Sequence, residues 1–139
     1  MNLEQATAFI QSHQSFYLAA HRSPDGDTLG AALALQILLE ELGKKTEVIC
    51  DERVPHIYCF LPNAERVVRP HEAQGYECVI AVDCADAQRF KKADFIFKKA
   101  VHTMVIDHHF TNKGYADVNL IRPDASATCE IIAELYKRM

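Results

Sequence analysis

Three short apolar runs, each breaking off at an acidic or histidine-rich cluster, set the strongest limit on how this chain folds. FYLAA (16–20) stops at His21, CVIAV (78–82) at Asp83, and TMVI (103–106) at Asp107. Runs of this length read as strands, and unbroken apolar character means that both faces are covered. TEVIC (46–50) and the weaker ADVNLI (116–121) read as two further strands. Helical patterns lie between them. Residues 3–13 place Leu3, Ala6, Phe9 and Ile10 on one side, and residues 27–42 form a long apolar helix that Gly43 is placed to end. VPHIYCFLP (54–62) reads as a short helix closed by Pro62, residues 86–100 as one or two short helical pieces, and 126–138 as a last helix with Asp124 or Ser126 as its cap. Strands separated by helices pair in parallel through right-handed crossovers. The expected fold is α/β: an open, doubly wound, mainly parallel five-stranded sheet of order 2-1-3-4-5, with helices on both faces, in one domain over residues 1–139.

In such a sheet, ligands bind outside the carboxyl ends of the strands, at the switch point. Three polar clusters fall on that edge: His21-Arg22-Ser23-Pro24-Asp25-Gly26-Asp27, Asp83-Cys84-Ala85-Asp86 and Asp107-His108-His109. Carboxylates with a few imidazoles and no thiolate suit Mn²⁺ or Mg²⁺ better than structural zinc. His21 and Asp25 can reach one ion, Asp27 and His108 another, and Asp83 can bridge both. Two ions held together would clamp the attacking and leaving oxygens of an in-line displacement at phosphorus by a bridging hydroxide. Pro24 and Gly26 shape the turn that aims the carboxylates inward.

HRSPDGDTLGAA, VDCAD, DHH and DASATCEII, in that order and spacing, resemble the successive motifs of the DHH family of phosphoesterases, in its oligoribonuclease/pAp-phosphatase-like branch. The resemblance runs from about residue 16 to the end of the chain. It implies manganese-dependent hydrolysis of phosphoesters, with His21, Asp25, Asp27, Asp83 and His108 as metal ligands. It also implies that His109 faces the substrate phosphate, and that Asp107 orients the histidines. The family's glycine-serine pair is Gly30-Ala31 here, and its later Ala-Ser-Ser/Thr stretch reads Ala125-Ser126-Ala127-Thr128. The family also carries a downstream metal-binding aspartate and a second, glycine- and histidine-rich substrate domain. Neither appears before Met139, so the chain reads as an isolated amino-terminal domain.

Other residues carry weaker signals. Arg22, Ser126 and Thr128 are candidate contacts to an anionic substrate, although the last two are helix-start residues first. Asp86 either supports the site or caps the helix that follows. His13, His56, His71 and His102 lack a carboxylate partner pattern and read as surface or structural, and Lys91-Lys92 and Lys98-Lys99 as solvated faces. Five cysteines without CxxC spacing argue against a disulfide framework or a zinc knuckle and read as buried reduced thiols. A net charge of −4 with no Lys/Arg cluster longer than two disfavours a long duplex footprint, but not a small anion, because bound cations reverse the local sign. No apolar run approaches the ~20 residues of a membrane span and no secretion signal opens the chain, so a cytoplasmic setting is expected. The expected substrates are short single-stranded oligonucleotides, pAp-like nucleotides or cyclic dinucleotides, and a homodimer is compatible with the pattern. Two alternatives stand beside this reading: a metal or nucleotide binding module without turnover, and an inorganic pyrophosphatase.

Overall fold

The computed structural model describes residues 3–72, 77–89 and 93–139. The elements, in order, are α1 (Leu3–Ser12), β1 (Ser15–Ala20), α2 (Gly26–Glu41), β2 (Lys45–Cys50), β3 (Cys78–Val82), α3 (Ala93–Lys99), β4 (His102–Asp107), β5 (Val118–Ile121) and α4 (Thr128–Arg138). All five strands are parallel, in the order β2-β1-β3-β4-β5. This is the expected α/β sheet. No described helix is long and apolar enough to cross a membrane.

Period-two alternation divides the strand side chains between two cores. Phe16, Leu18, Cys78, Ile80, Val82, Met104 and Ile106 pack under α1, α2 and α4. Tyr17, Ala19, Val79, Ala81 and Val105 face the opposite way, toward Ala93 and Phe97 of α3. Helices therefore cover both faces, as the apolar strands required.

Local chemistry sets the element ends. Gly43 takes φ +80°, its N–H reaches the Glu40 carbonyl at 3.0 Å, and the Lys44 N–H reaches Leu39 at 2.9 Å. This is a Schellman ending, and it places β2 beside β1. The stretch 54–62 departs from expectation: only His56–Tyr58 is helical, and it is a 3-10 turn. Between Pro55, which caps the turn, and Pro62 the run is too short to repay the nucleation of an α-helix. The fifth strand is shorter than expected, because the Asn119 side chain bonds both the N–H and the carbonyl of Ala116 and holds it in a loop. Lys91 and Lys92 lie outside the described residues.

The cysteines also differ from expectation at one position. Cys50, Cys78 and Cys84 are buried and Cys129 is partly buried, but Cys59 is exposed. Burial pushes the Cys50 thiol up to about 11, and those of Cys78, Cys84 and Cys129 up to about 12. The thiolate is the nucleophile, so these four are inert near neutrality. Iodoacetamide at pH 7.5 is expected to label Cys59 alone in the folded chain, as read by peptide mass analysis. Rapid labelling of Cys84 or Cys129 would contradict this packing.

Candidate functional site

The turn after β1 brings the first cluster to the carboxyl edge of the sheet. Ser23 adopts φ 54° there, a left-handed conformation that ordinary side chains rarely take. Asp25 then caps α2, its Oδ1 accepting the Thr28 N–H at 2.9 Å. Asp83, one residue past β3, is also left-handed at φ 56° and only 3% exposed. Its backbone N–H is held by the Ile106 carbonyl at 2.9 Å. Two such backbones at one strand edge are strain that the surrounding structure has to hold in place.

His21, Asp25 and Asp83 converge on the hydroxyl of Thr28. Thr28 Oγ1 lies 2.8 Å from His21 Nε2, 3.0 Å from Asp25 Oδ1 and 2.8 Å from Asp83 Oδ2. His21 Nδ1 sits 2.6 Å from the Arg22 carbonyl, which can only accept, so in the neutral ring the proton is on Nδ1 and Nε2 carries a lone pair. One hydroxyl proton thus faces three acceptors. This donor set is short of positive charge at a single point, and a divalent cation fits that shortage. His21, Asp25 and Asp83 offer ligand atoms within 4.8 Å of one another.

A second group shares Asp83. His108 Nε2 lies 3.5 Å from both Asp27 Oδ2 and Asp83 Oδ1. Asp83, His108 and His109 also offer ligand atoms within 4.8 Å. The structure therefore brings His21, Asp25, Asp27, Asp83 and His108 together around one buried carboxylate. Burial pushes the Asp83 carboxyl above its ordinary value, with the Asp27 and Asp25 charges adding to the effect, while the hydroxyls of Thr28 and Thr128 oppose it. Burial acts on Asp27 in the same direction. There it is outweighed by the N–H groups of Cys129 and Thr128, the Cys129 thiol and His108, which hold that carboxyl below the usual range.

Asp107 stands behind the histidines and is fully buried. Its Oδ1 accepts the His108 N–H at 2.8 Å and His109 Nδ1 at 2.6 Å, and its Oδ2 accepts the Asn112 amide at 2.8 Å. His109 is thereby fixed with a proton on Nδ1, and Asp107 leaves its Nε2 to other partners. Asn112 is a positioning residue that the sequence reading did not single out. It also donates to the Cys84 carbonyl at 3.2 Å, tying the second cluster to the third. Thr28 went unnoticed for a similar reason: a threonine in a first helical turn is unremarkable until the fold puts a carboxylate 55 positions away against it.

The remaining candidates are placed differently. The α4 cap is neither Asp124 nor Ser126. Ala127 occupies that position with no side-chain bond. Asp124 pairs with Arg122, and the Ser126 N–H goes to Glu130. The two free N–H groups of α4, from Thr128 and Cys129, are taken by the Asp27 carboxylate at 3.0 and 2.9 Å. The Thr128 hydroxyl, placed by sequence near a phosphate, is buried and donates to Asp83 Oδ1 at 3.0 Å. Ser126 and Arg22 are exposed at the rim. Asp86 is exposed and bonds the Gln88 N–H of the 3-10 turn that follows, so capping is its visible role. Gly30 lies against α4, where a Cβ would meet Cys129 Sγ at 3.2 Å, and Ala31 is wholly buried.

Comparison with known proteins places the chain among relatives in sequence and in fold. The chain is 31% identical over 122 residues to a bifunctional oligoribonuclease and PAP phosphatase NrnA of Thermus thermophilus, covering 86% of this chain and 35% of that protein. It is 26% identical over 133 residues to a probable protein of the same description from Streptococcus mutans, covering 91% of this chain and 40% of that one. The chain thus spans well under half the length of these curated relatives. The crystal structure of an exopolyphosphatase-related protein from Bacteroides fragilis superposes with a TM-score of 0.89, at 20% identity, over 99% of this chain and 43% of that one. That likeness speaks to the fold. The model of the DHH family N-terminal domain matches residues 15–139, and the chain belongs to the DHH family.

Proposed function

We propose that this domain is the metal-holding half of a phosphoesterase that hydrolyses short oligonucleotides or small nucleotides such as pAp. The observation that carries the reading is the convergence of His21 Nε2, Asp25, Asp83 and, through Asp83, Asp27 and His108 on a single acceptor-rich point. His21, Asp25 and Asp83 would hold one cation, and Asp27, Asp83 and His108 a second, with Mn²⁺ as the expected ion. Bound cations would supply Lewis acidity at the phosphoryl oxygens and an activated water. The chain's own residues do the rest. Asp107 accepts from His109 Nδ1 and fixes the ring, so that a protonated Nε2 would be the donor to a phosphate oxygen, and Thr28 and Thr128 fix both oxygens of Asp83. The names of the two NrnA relatives support the nucleotide class. So does Phe110, which is 85% exposed directly after His109, where a base could stack on its ring.

The test is product release by the 139-residue chain with Mn²⁺, offered a short RNA, pAp and inorganic pyrophosphate. Nucleotide or phosphate is expected from the first two in preference to the third. Phe110→Ala is expected to raise KM for the nucleotides about tenfold while leaving Mn²⁺ affinity unchanged. Manganese binding without any product would replace this reading with a binding module, and preferential pyrophosphate cleavage with a pyrophosphatase.

A further inference from the structure

A second group of metal-ligating side chains lies at the opposite, amino edge of the sheet. His13 follows α1, Cys78 opens β3, and His102 opens β4. Cys78 and His102 are register partners on neighbouring parallel strands, so their side chains emerge on the same face. The His13 and His102 rings lie 4.6 Å apart between centroids. His13, Glu77 and Cys78 each offer a ligand atom, all within 4.8 Å of one another. By strand rise this place is roughly 16 Å from Asp83, five residues further along. It shares no residue with the acidic cluster.

We infer that His13, Glu77 and Cys78 form a structural transition-metal site of the zinc class, with His102 as the adjacent further donor. Three observations support it. His13 Nδ1 is 2.8 Å from the Phe9 carbonyl, which fixes the proton there and leaves Nε2 as a lone-pair donor. Cys78 is wholly buried, so its sulfur is shielded from oxidants and competing water. The donor set is one thiolate, one carboxylate and neutral imidazole, which balances a dication and suits zinc or cobalt rather than the hard cations favoured by carboxylates alone. On binding, the Cys78 S–H bond breaks, the proton leaves to solvent and a sulfur–metal bond forms, with no change of oxidation state. The ion would pin the residue after α1 to the starts of β3 and β4.

The experiment is an anaerobic Co²⁺ titration of the reduced 139-residue chain, followed by thermal melts with and without Zn²⁺. The expected result is a near-ultraviolet thiolate-to-cobalt band and a zinc-dependent rise in Tm. The band should be lost, and the zinc-dependent rise reduced to what the cluster around Asp83 contributes, in His13→Gln, which alters a partly buried side chain, and in Cys78→Ser. Both should persist in Asp83→Asn and in Cys59→Ser. Absence of the band from the folded native chain would overturn the inference and leave His13 as a C-terminal cap of α1. A band that survives Cys78→Ser, or is lost in Cys59→Ser, would overturn it by assigning the thiolate elsewhere.

Discussion

Asp83→Asn is expected to make the metal-free chain more stable while removing Mn²⁺ binding and lowering phosphoester turnover roughly a thousandfold. The native carboxylate is 3% exposed, burial and two neighbouring aspartates work against its charge, and Thr28 has one proton for three acceptors. An asparagine keeps one carbonyl acceptor and adds two N–H donors where donors are lacking. Relief of that conflict is worth about 1–2 kcal/mol, or about 3–6 °C in Tm for a domain of this size. Calorimetry in EDTA reads the first effect and Mn²⁺ titration the second. A lower Tm in the variant would show that Asp83 is held by more favourable contacts than its two hydroxyl donors provide.

Asp107→Ala is expected to be the most damaging polar substitution at the site. The side chain is fully buried and accepts three hydrogen bonds, from the His108 N–H, His109 Nδ1 and the Asn112 amide. Truncation leaves those donors without a partner, and a buried unsatisfied donor costs about 1–3 kcal/mol. A loss of about 3–5 kcal/mol in urea unfolding is therefore expected, together with release of the His109 ring. Asn112→Ala removes one of the same bonds together with its bonds to the Cys84 carbonyl and the Gly114 N–H, and should cost about 2–4 kcal/mol. If Asp107→Ala unfolds at the native midpoint, the hydrogen-bond arrangement behind the histidines is wrong.

The sheet was legible because its strands are buried on both sides. FYLAA, CVIAV and TMVI have no polar face to confuse them with anything else of that length, and the helices between them force parallel pairing. The clusters at the strand ends were legible for the same reason, since each begins where an apolar run stops. The cap of α4 was not. The sequence offers Asp124 and Ser126 nearby, but the carboxylate that takes its N–H groups comes from Asp27, about a hundred positions earlier. Thr28 and Asn112 were missed because their work is to join clusters that only the folded sheet brings together. Thr128 was found, but its hydroxyl faces Asp83 rather than outward. Local pattern reads what a residue can do; the partner it meets depends on strand order.

The Asp27 carboxylate has two claims on it. Both of its oxygens seat the first turn of α4, and one of them also lies 3.5 Å from His108. A cation arriving beside His108 would withdraw electron density from the anchor of the last helix, so occupancy at the strand edge becomes a signal along that helix. Amide exchange at Thr128 and Cys129 is the natural gauge of that signal, sensing the ion without touching it.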